Sequence, residues 1–287
     1  DMHPFPCTPR RSRVLHPTTL ALAAALVAAL AAGSAQAVVS TSAPPEADGS
    51  FADIAYGNTG NVYELIPRLF VQGLGSADNP RAVAQRNPLL QFERSVTGDG
   101  SGLLSIEYRV RNTSPVESFS QLRFMVFANP DGDGVDFQDR IGETWGGPAA
   151  GEPVRREGRA FDAANGILTR IAQNNNLTEA ELPLFPGPLD AACTGGLACD
   201  ATAALQWNAD LLGPGQMLRV RVGLSDAGQA LSGRFLTISS VTDAGTVLTF
   251  SGNSAVVAVP EPASTALLLA GLLGLGFLAR RRGAAVA

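Results

Sequence analysis

The chain has 287 residues and a net charge of −5, from 26 carboxylates and 21 basic groups that are all arginine. Three arginines at each end leave residues 38–259 with 15 arginines against 24 carboxylates, no lysine and no histidine. This excludes a Ser-His-Asp or Cys-His apparatus, a His-ligated zinc and a lysine-bearing phosphate loop, and so acidic a body predicts no nucleic-acid partner.

Arg10, Arg11 and Arg13 precede Thr18–Ala32, 15 residues of which 13 are Ala, Leu or Val. Gly33-Ser34-Ala35-Gln36-Ala37 follows. A basic cluster, an apolar stretch and small residues at Ala35 and Ala37 predict a signal peptide over 1–37, cut after Ala37, and hence export. Arg10-Arg11 also permits a twin-arginine route, but its flanks fit general secretion better. Residues 38–50 are rich in Ser, Pro and Ala and read as a linker.

From 51 to 258 the texture is strand and turn. Val62–Ile66 and Leu69–Val71 read as one strand interrupted by Pro67. Leu89–Val96 and Leu104–Arg111 flank a Gly/Asp turn and predict a hairpin. In the second of these, Leu104, Ile106, Tyr108 and Val110 share one face, with Ser, Glu and Arg on the other. Leu122–Ala128 is apolar nearly throughout and predicts a central strand covered on both faces. Helical turns are expected only at Asp162–Gln173 and Thr178–Leu182. Leu218–Leu224 alternates again, entered by Gly213-Pro214-Gly215, and Phe235–Val241, Thr246–Phe250 and Ser254–Val259 complete the set. The expected fold is all-β: one antiparallel β-sandwich, Ig-like or jelly-roll-like, with residues 140–200 as a long loop insertion. The turn at Leu212–Gly215 resembles the closing hairpin of Ig-like secreted sandwiches.

Three groups of residues bear on chemistry. In the run Asn129–Asp139, Asn129, Asp131 and Asp133 place oxygen ligands at alternate positions, Gly134 offers the bend and Val135 a carbonyl, as a hard Ca²⁺ ion requires. Asp139 falls one position short of the usual bidentate Glu, so a calcium loop and a plain acidic turn both stay open. Asp136, Asp139, Glu143 and Glu152 lie near Trp145, which keeps a carboxylate glycosidase among the readings, although Trp145 and Trp207 fit packing better than sugar platforms. Arg155-Arg156-x-x-Arg159 reads as a solvated basic cluster in a loop. Cys193 and Cys199 are separated by five residues. In an exported chain such a pair predicts a disulfide that pins a surface loop, worth about 2 kcal/mol.

The carboxy-terminal stretch holds Pro260-Glu261-Pro262, the uncharged run 263–279 of 17 residues, and Arg280-Arg281-Arg282. As a helix the run spans roughly 26 Å, close to the hydrocarbon thickness of a bilayer. The arginines predict a cytoplasmic end, with the body held outside the inner membrane. Residues 259–282 resemble the PEP-CTERM sorting signal of Gram-negative bacteria. The resemblance implies that Pro260, Glu261 and Pro262 form the recognition triplet, that an exosortase processes the precursor, and that the product joins the cell surface or the exopolysaccharide of a biofilm. The expected protein is an exported, non-catalytic surface or matrix protein. A calcium-dependent carbohydrate-binding or adhesive module is the alternative, and a carboxylate glycosidase the third reading.

Overall fold

The computed structural model describes residues 39–41, 46, 49–51, 54–56, 62–77, 79–131, 139–147, 149–160, 167–173, 175–178, 201–240, 247–259 and 271–272. The chain divides into Asp1–Gln36 and Ala37–Ala287, and every described residue belongs to the second part. In chain order the strands are β1 (Ser40–Thr41), β2 (Ile54–Ala55), β3 (Val62–Val71), β4 (Gly75–Ala77), β5 (Leu90–Thr97), β6 (Leu104–Asn112) and β7 (Phe119–Asp131). They continue as β8 (Asp139–Thr144), β9 (Arg155–Ala160), β10 (Ala201–Leu212), β11 (Gln216–Ser225), β12 (Phe235–Ser240) and β13 (Val247–Ala258). Two short helices join them, α1 (Pro80–Gln85) and α2 (Ile167–Ala172).

The strands form a five-stranded sheet, in the order β4-β3-β7-β10-β9, and a six-stranded sheet, β5-β6-β11-β13-β12-β8; β1 pairs with β2. All pairings are antiparallel. The period-2 pattern explains how the two sheets meet. Leu104, Ile106, Tyr108 and Val110 of β6 and Leu218, Val220, Val222 and Leu224 of β11 are buried in the same core as Leu65, Leu69, Phe124, Val126, Leu205 and Trp207 of the five-stranded sheet. Tyr108 and Phe124, one from each sheet, have ring centroids 5.1 Å apart. Burying such alternate faces against each other is the main source of stability in a two-sheet fold.

β7 runs through the middle of its sheet and is covered on both sides, as its nearly continuous apolar sequence predicts. Its Phe124 and Val126 face the main core. Met125 and Phe127 face a second cluster built with Ala204, Ile167, Ile171 and Leu177. Ile167 and Ile171 are four apart on α2 and therefore share the helix face turned to the sheet. Pro67 does not interrupt β3, because Leu65 bonds Phe51 through both its N–H and its C=O. Two residues on, the proline nitrogen points the same way, off the β7 ladder, where its missing N–H costs no sheet hydrogen bond.

Four expectations need correction. The described residues within 38–50 are held to the fold rather than free: Val39 is fully buried, Ser40–Thr41 pair with β2, and Gly49 sits against Phe92 and Tyr108. The stretch 140–200 is not simply a loop, since it holds β8, β9 and α2. The turn Gly213–Gly215 closes no hairpin: it carries the chain from β10 in one sheet to β11 in the other. The last two expected strands are one, β13, with Gly252 inside it. Helix α1 has no counterpart in the expected elements, although Asn79 accepts from the Ala82 N–H at 3.1 Å and Pro80 opens the first turn.

Candidate functional site

The side of β6 and β11 that faces away from the core is densely charged. Alternation sends Glu107, Arg109 and Arg111 of β6 and Met217, Arg219 and Arg221 of β11 to this side. Pairing then sets the rows: Arg109 lies directly opposite Arg219, Glu107 opposite Arg221, and Arg111 opposite Met217. On the flanking strands Glu93 stands beside Arg109, and Asn253 beside Arg221. Four guanidinium groups thus share the face with two carboxylates, and one arginine pair sits cross-strand, where like charges repel.

Glu107 is the hub. It accepts from Arg109 Nε at 2.7 Å and from Arg221 at 3.0 Å, with Arg219 Nε at 3.9 Å. Burial pushes its carboxyl up, but the hydrogen bonds from Arg109 and Arg221 and the charges of Arg109 and Arg219 outweigh that and hold it below the usual carboxylate range. Glu93 reaches Arg109 only at 3.8 Å. Arg111 forms no ion pair among the described residues, and its Nε is buried without a hydrogen-bond partner there. A hollow of about 430 Å³, lined by Arg81, Phe92, Glu93, Arg94, Ser95 and Val96, adjoins this face at β5. The loop after β11 covers only the far end of the face: Leu231 N–H donates to Ser251, and Asn253 donates back to the Leu231 carbonyl.

The residues singled out from the sequence are placed differently. Asn129 and Asp131, expected in a calcium loop, close β7 in register with Glu64 and Val62 of β3. Asp139 opens β8 opposite Ser240, so the candidate ligands frame the connection from one sheet to the other. The Asn129 Oδ1 is buried without a partner among the described residues. Asp133, Gly134, Val135 and Asp136 lie outside them. Among the described residues no three His, Cys, Asp or Glu side chains converge as a metal cluster would. Of the four carboxylates expected beside Trp145, two are taken up by arginines: Glu143 accepts two hydrogen bonds from Arg156, and Glu152 lies 3.9 Å from Arg234. Both guanidinium groups lie over the Trp145 ring, at 4.4 and 4.8 Å from its centroid, which covers aromatic surface a sugar would need. Trp207 is fully buried in the core. Arg155 and Arg156 belong to edge strand β9 rather than to a solvated loop.

Cys193, Cys199, Ala35, Ala37, Pro260, Glu261, Pro262, Arg280, Arg281 and Arg282 lie outside the described residues. So does the run 263–279, apart from Gly271 and Leu272, and among the described residues no helix is long and apolar enough to cross a membrane. The arginine face escaped the sequence reading. Its only trace there is the spacing of Arg109 and Arg111, and of Arg219 and Arg221, on two alternating strands.

The last described strand runs straight into the stretch that a known family recognises. No curated protein and no solved structure matches the chain. Residues 258–282 match the PEP-CTERM protein-sorting motif, which marks the chain as an exosortase-sorted surface protein made as an exported, membrane-anchored precursor.

Proposed function

We propose that the chain is a non-catalytic surface or matrix protein that holds acidic exopolysaccharide on the open arginine face of its six-stranded sheet. In this reading residues 1–37 are removed on export, 263–279 anchor the precursor with Arg280–Arg282 in the cytoplasm, and Cys193 and Cys199 form a disulfide. One observation carries the ligand assignment: Arg109, Arg111, Arg219 and Arg221 outnumber the carboxylates beside them two to one, in a body with a marked excess of acid. A flat row of guanidinium groups offers paired N–H donors to the carboxylates of a uronic-acid chain. The test is equilibrium binding of the purified protein to a polyuronate, with neutral dextran as control. Replacing Arg219 and Arg221 together by Ser is expected to weaken binding by about a hundredfold or more, since each charge-assisted hydrogen bond lost contributes about 1.5–3 kcal/mol. Equal affinity of parent and variant, or equal affinity for dextran, overturns the assignment.

A second reading, calcium held at the β7–β8 connection in a carbohydrate-binding or adhesive module, is favoured by the unpaired Asn129 Oδ1 beside the acidic run. Calorimetric titration with Ca²⁺ decides it. Heat that disappears in the Asp131→Ala, Asp133→Ala double variant supports the site, and no heat in the parent protein ends it.

A further inference from the structure

The sorting motif begins inside the sheet. Its first residue, Ala258, is paired with Gln216, and the next, Val259, donates its N–H to the Gly215 carbonyl at 2.9 Å. Only Pro260, Glu261 and Pro262 separate Val259 from the uncharged run that starts at Ala263. Four Cα steps span at most about 14 Å. A bilayer of roughly 30 Å hydrocarbon and 40–45 Å total thickness has a polar layer of about 5–8 Å on each side. The end of the fold that releases the signal is therefore tethered next to the headgroups, provided that 263–279 spans the membrane as proposed above.

That end has an unusual surface. Asn112 is fully buried, and its Nδ2 lies 2.7 Å from the Glu117 carbonyl, 3.1 Å from Leu212 and 3.0 Å from Gly213. One amide thus ties the β6–β7 crossing to the β10–β11 turn, and the turn holds Val259. Ser114 Oγ accepts from the N–H groups of Val116 and Glu117. This fixed turn presents Val116 outward at 80% exposure. Leu211 is 56% exposed, and Pro115 and Pro214 are exposed beside it in the two connections. Val256, three residues before Val259, is 41% exposed. The charged residues next to them along the chain are Arg111, Glu117 and Asp210, with no excess of base, so the attraction to lipid invoked here is apolar. Rigid, exposed aliphatic side chains at the point where a chain enters lipid fit a bilayer surface better than water.

We infer that this tip rests on the bilayer while the precursor is anchored, with Val116, Leu211 and Pro214 in the headgroup layer, so that the membrane holds the body in one orientation. The test uses the full chain in nanodiscs of neutral phosphatidylcholine, with and without bromine on the acyl chains. The exposed Val116 is replaced by Trp, and Val154→Trp serves as control, with the parent's emission subtracted. The Val116→Trp chain is expected to emit at shorter wavelength and to lose emission in brominated lipid, in high and low salt alike, while the Val154→Trp chain does neither. Water-like emission from Val116→Trp in chains that co-purify with nanodiscs overturns the inference and leaves the anchor intact. A blue shift without bromine quenching overturns it in favour of a protein partner, a second copy included. Chains that fail to enter nanodiscs at all overturn the anchor, and the inference with it.

Discussion

Glu107 is shared among three arginines. Its carboxyl is held below the usual range by Arg109, Arg221 and Arg219 against an opposing push from burial. A group with a depressed folded-state pKa stabilises the fold fully above its unfolded value of 4.5 and loses that contribution as pH falls through the folded value. Replacing Glu107 by Gln is expected to cost about 1–2 kcal/mol near neutrality, because Arg109 and Arg219 then face each other without a shared counter-charge. Thermal unfolding of the parent and Glu107→Gln proteins from pH 7 down to pH 3 checks this. The two melting temperatures should converge below pH 4.5, and a constant gap would contradict the assignment. None of this was visible in the linear sequence. Glu107 and Arg221 are 114 positions apart, and only the pairing of β6 with β11 makes them neighbours.

Among the elements, β6 and β7 were legible and β13 was not. Leu104–Val110 alternates cleanly and Leu122–Ala128 is apolar except for Arg123, so burial on one face or two could be read directly. Gly252 looked like a break between two short strands. Its position instead answers a packing demand: a Cβ there would sit 2.5 Å from Cζ2 of Trp207 and 2.6 Å from the Arg221 carbonyl oxygen. The backbone oxygen cannot move aside as a flexible side chain would. Gly252→Ala is therefore expected to destabilise by about 2–3 kcal/mol, read as a lower urea midpoint with altered fluorescence of the buried Trp207. An unchanged midpoint would contradict this account of Gly252. Val39 was misread for a related reason. A Ser- and Pro-rich composition speaks for a free linker, and one buried valine paired into place is too small a signal to outweigh it.

At the level of the whole molecule, the charge distribution separates two kinds of contact. Residues 38–259 carry an excess of nine carboxylates, so in the proposed reading a polyuronate would meet repulsion over much of the surface and attraction at the arginine rows. Its binding should therefore fall steeply between low and physiological salt. The apolar tip depends on no such attraction and should hold lipid equally well across that range. The sorting signal was legible because it is a contiguous motif, with Pro-Glu-Pro, the apolar run and the arginines in fixed order. The arginine face is assembled from strands far apart in sequence and becomes visible only in the folded sheet.

Strand β13 lies in the interior of its sheet, flanked by β11 and β12, yet it is the last of the thirteen described strands to be made. Until it arrives, β11 and β12 have no shared neighbour and the sheet has a gap at its centre. The six-stranded sheet therefore cannot be completed before residues 247–258 are in place. The strand that completes the sheet and the motif that addresses the chain are thus neighbours by nothing more than the order of the strands.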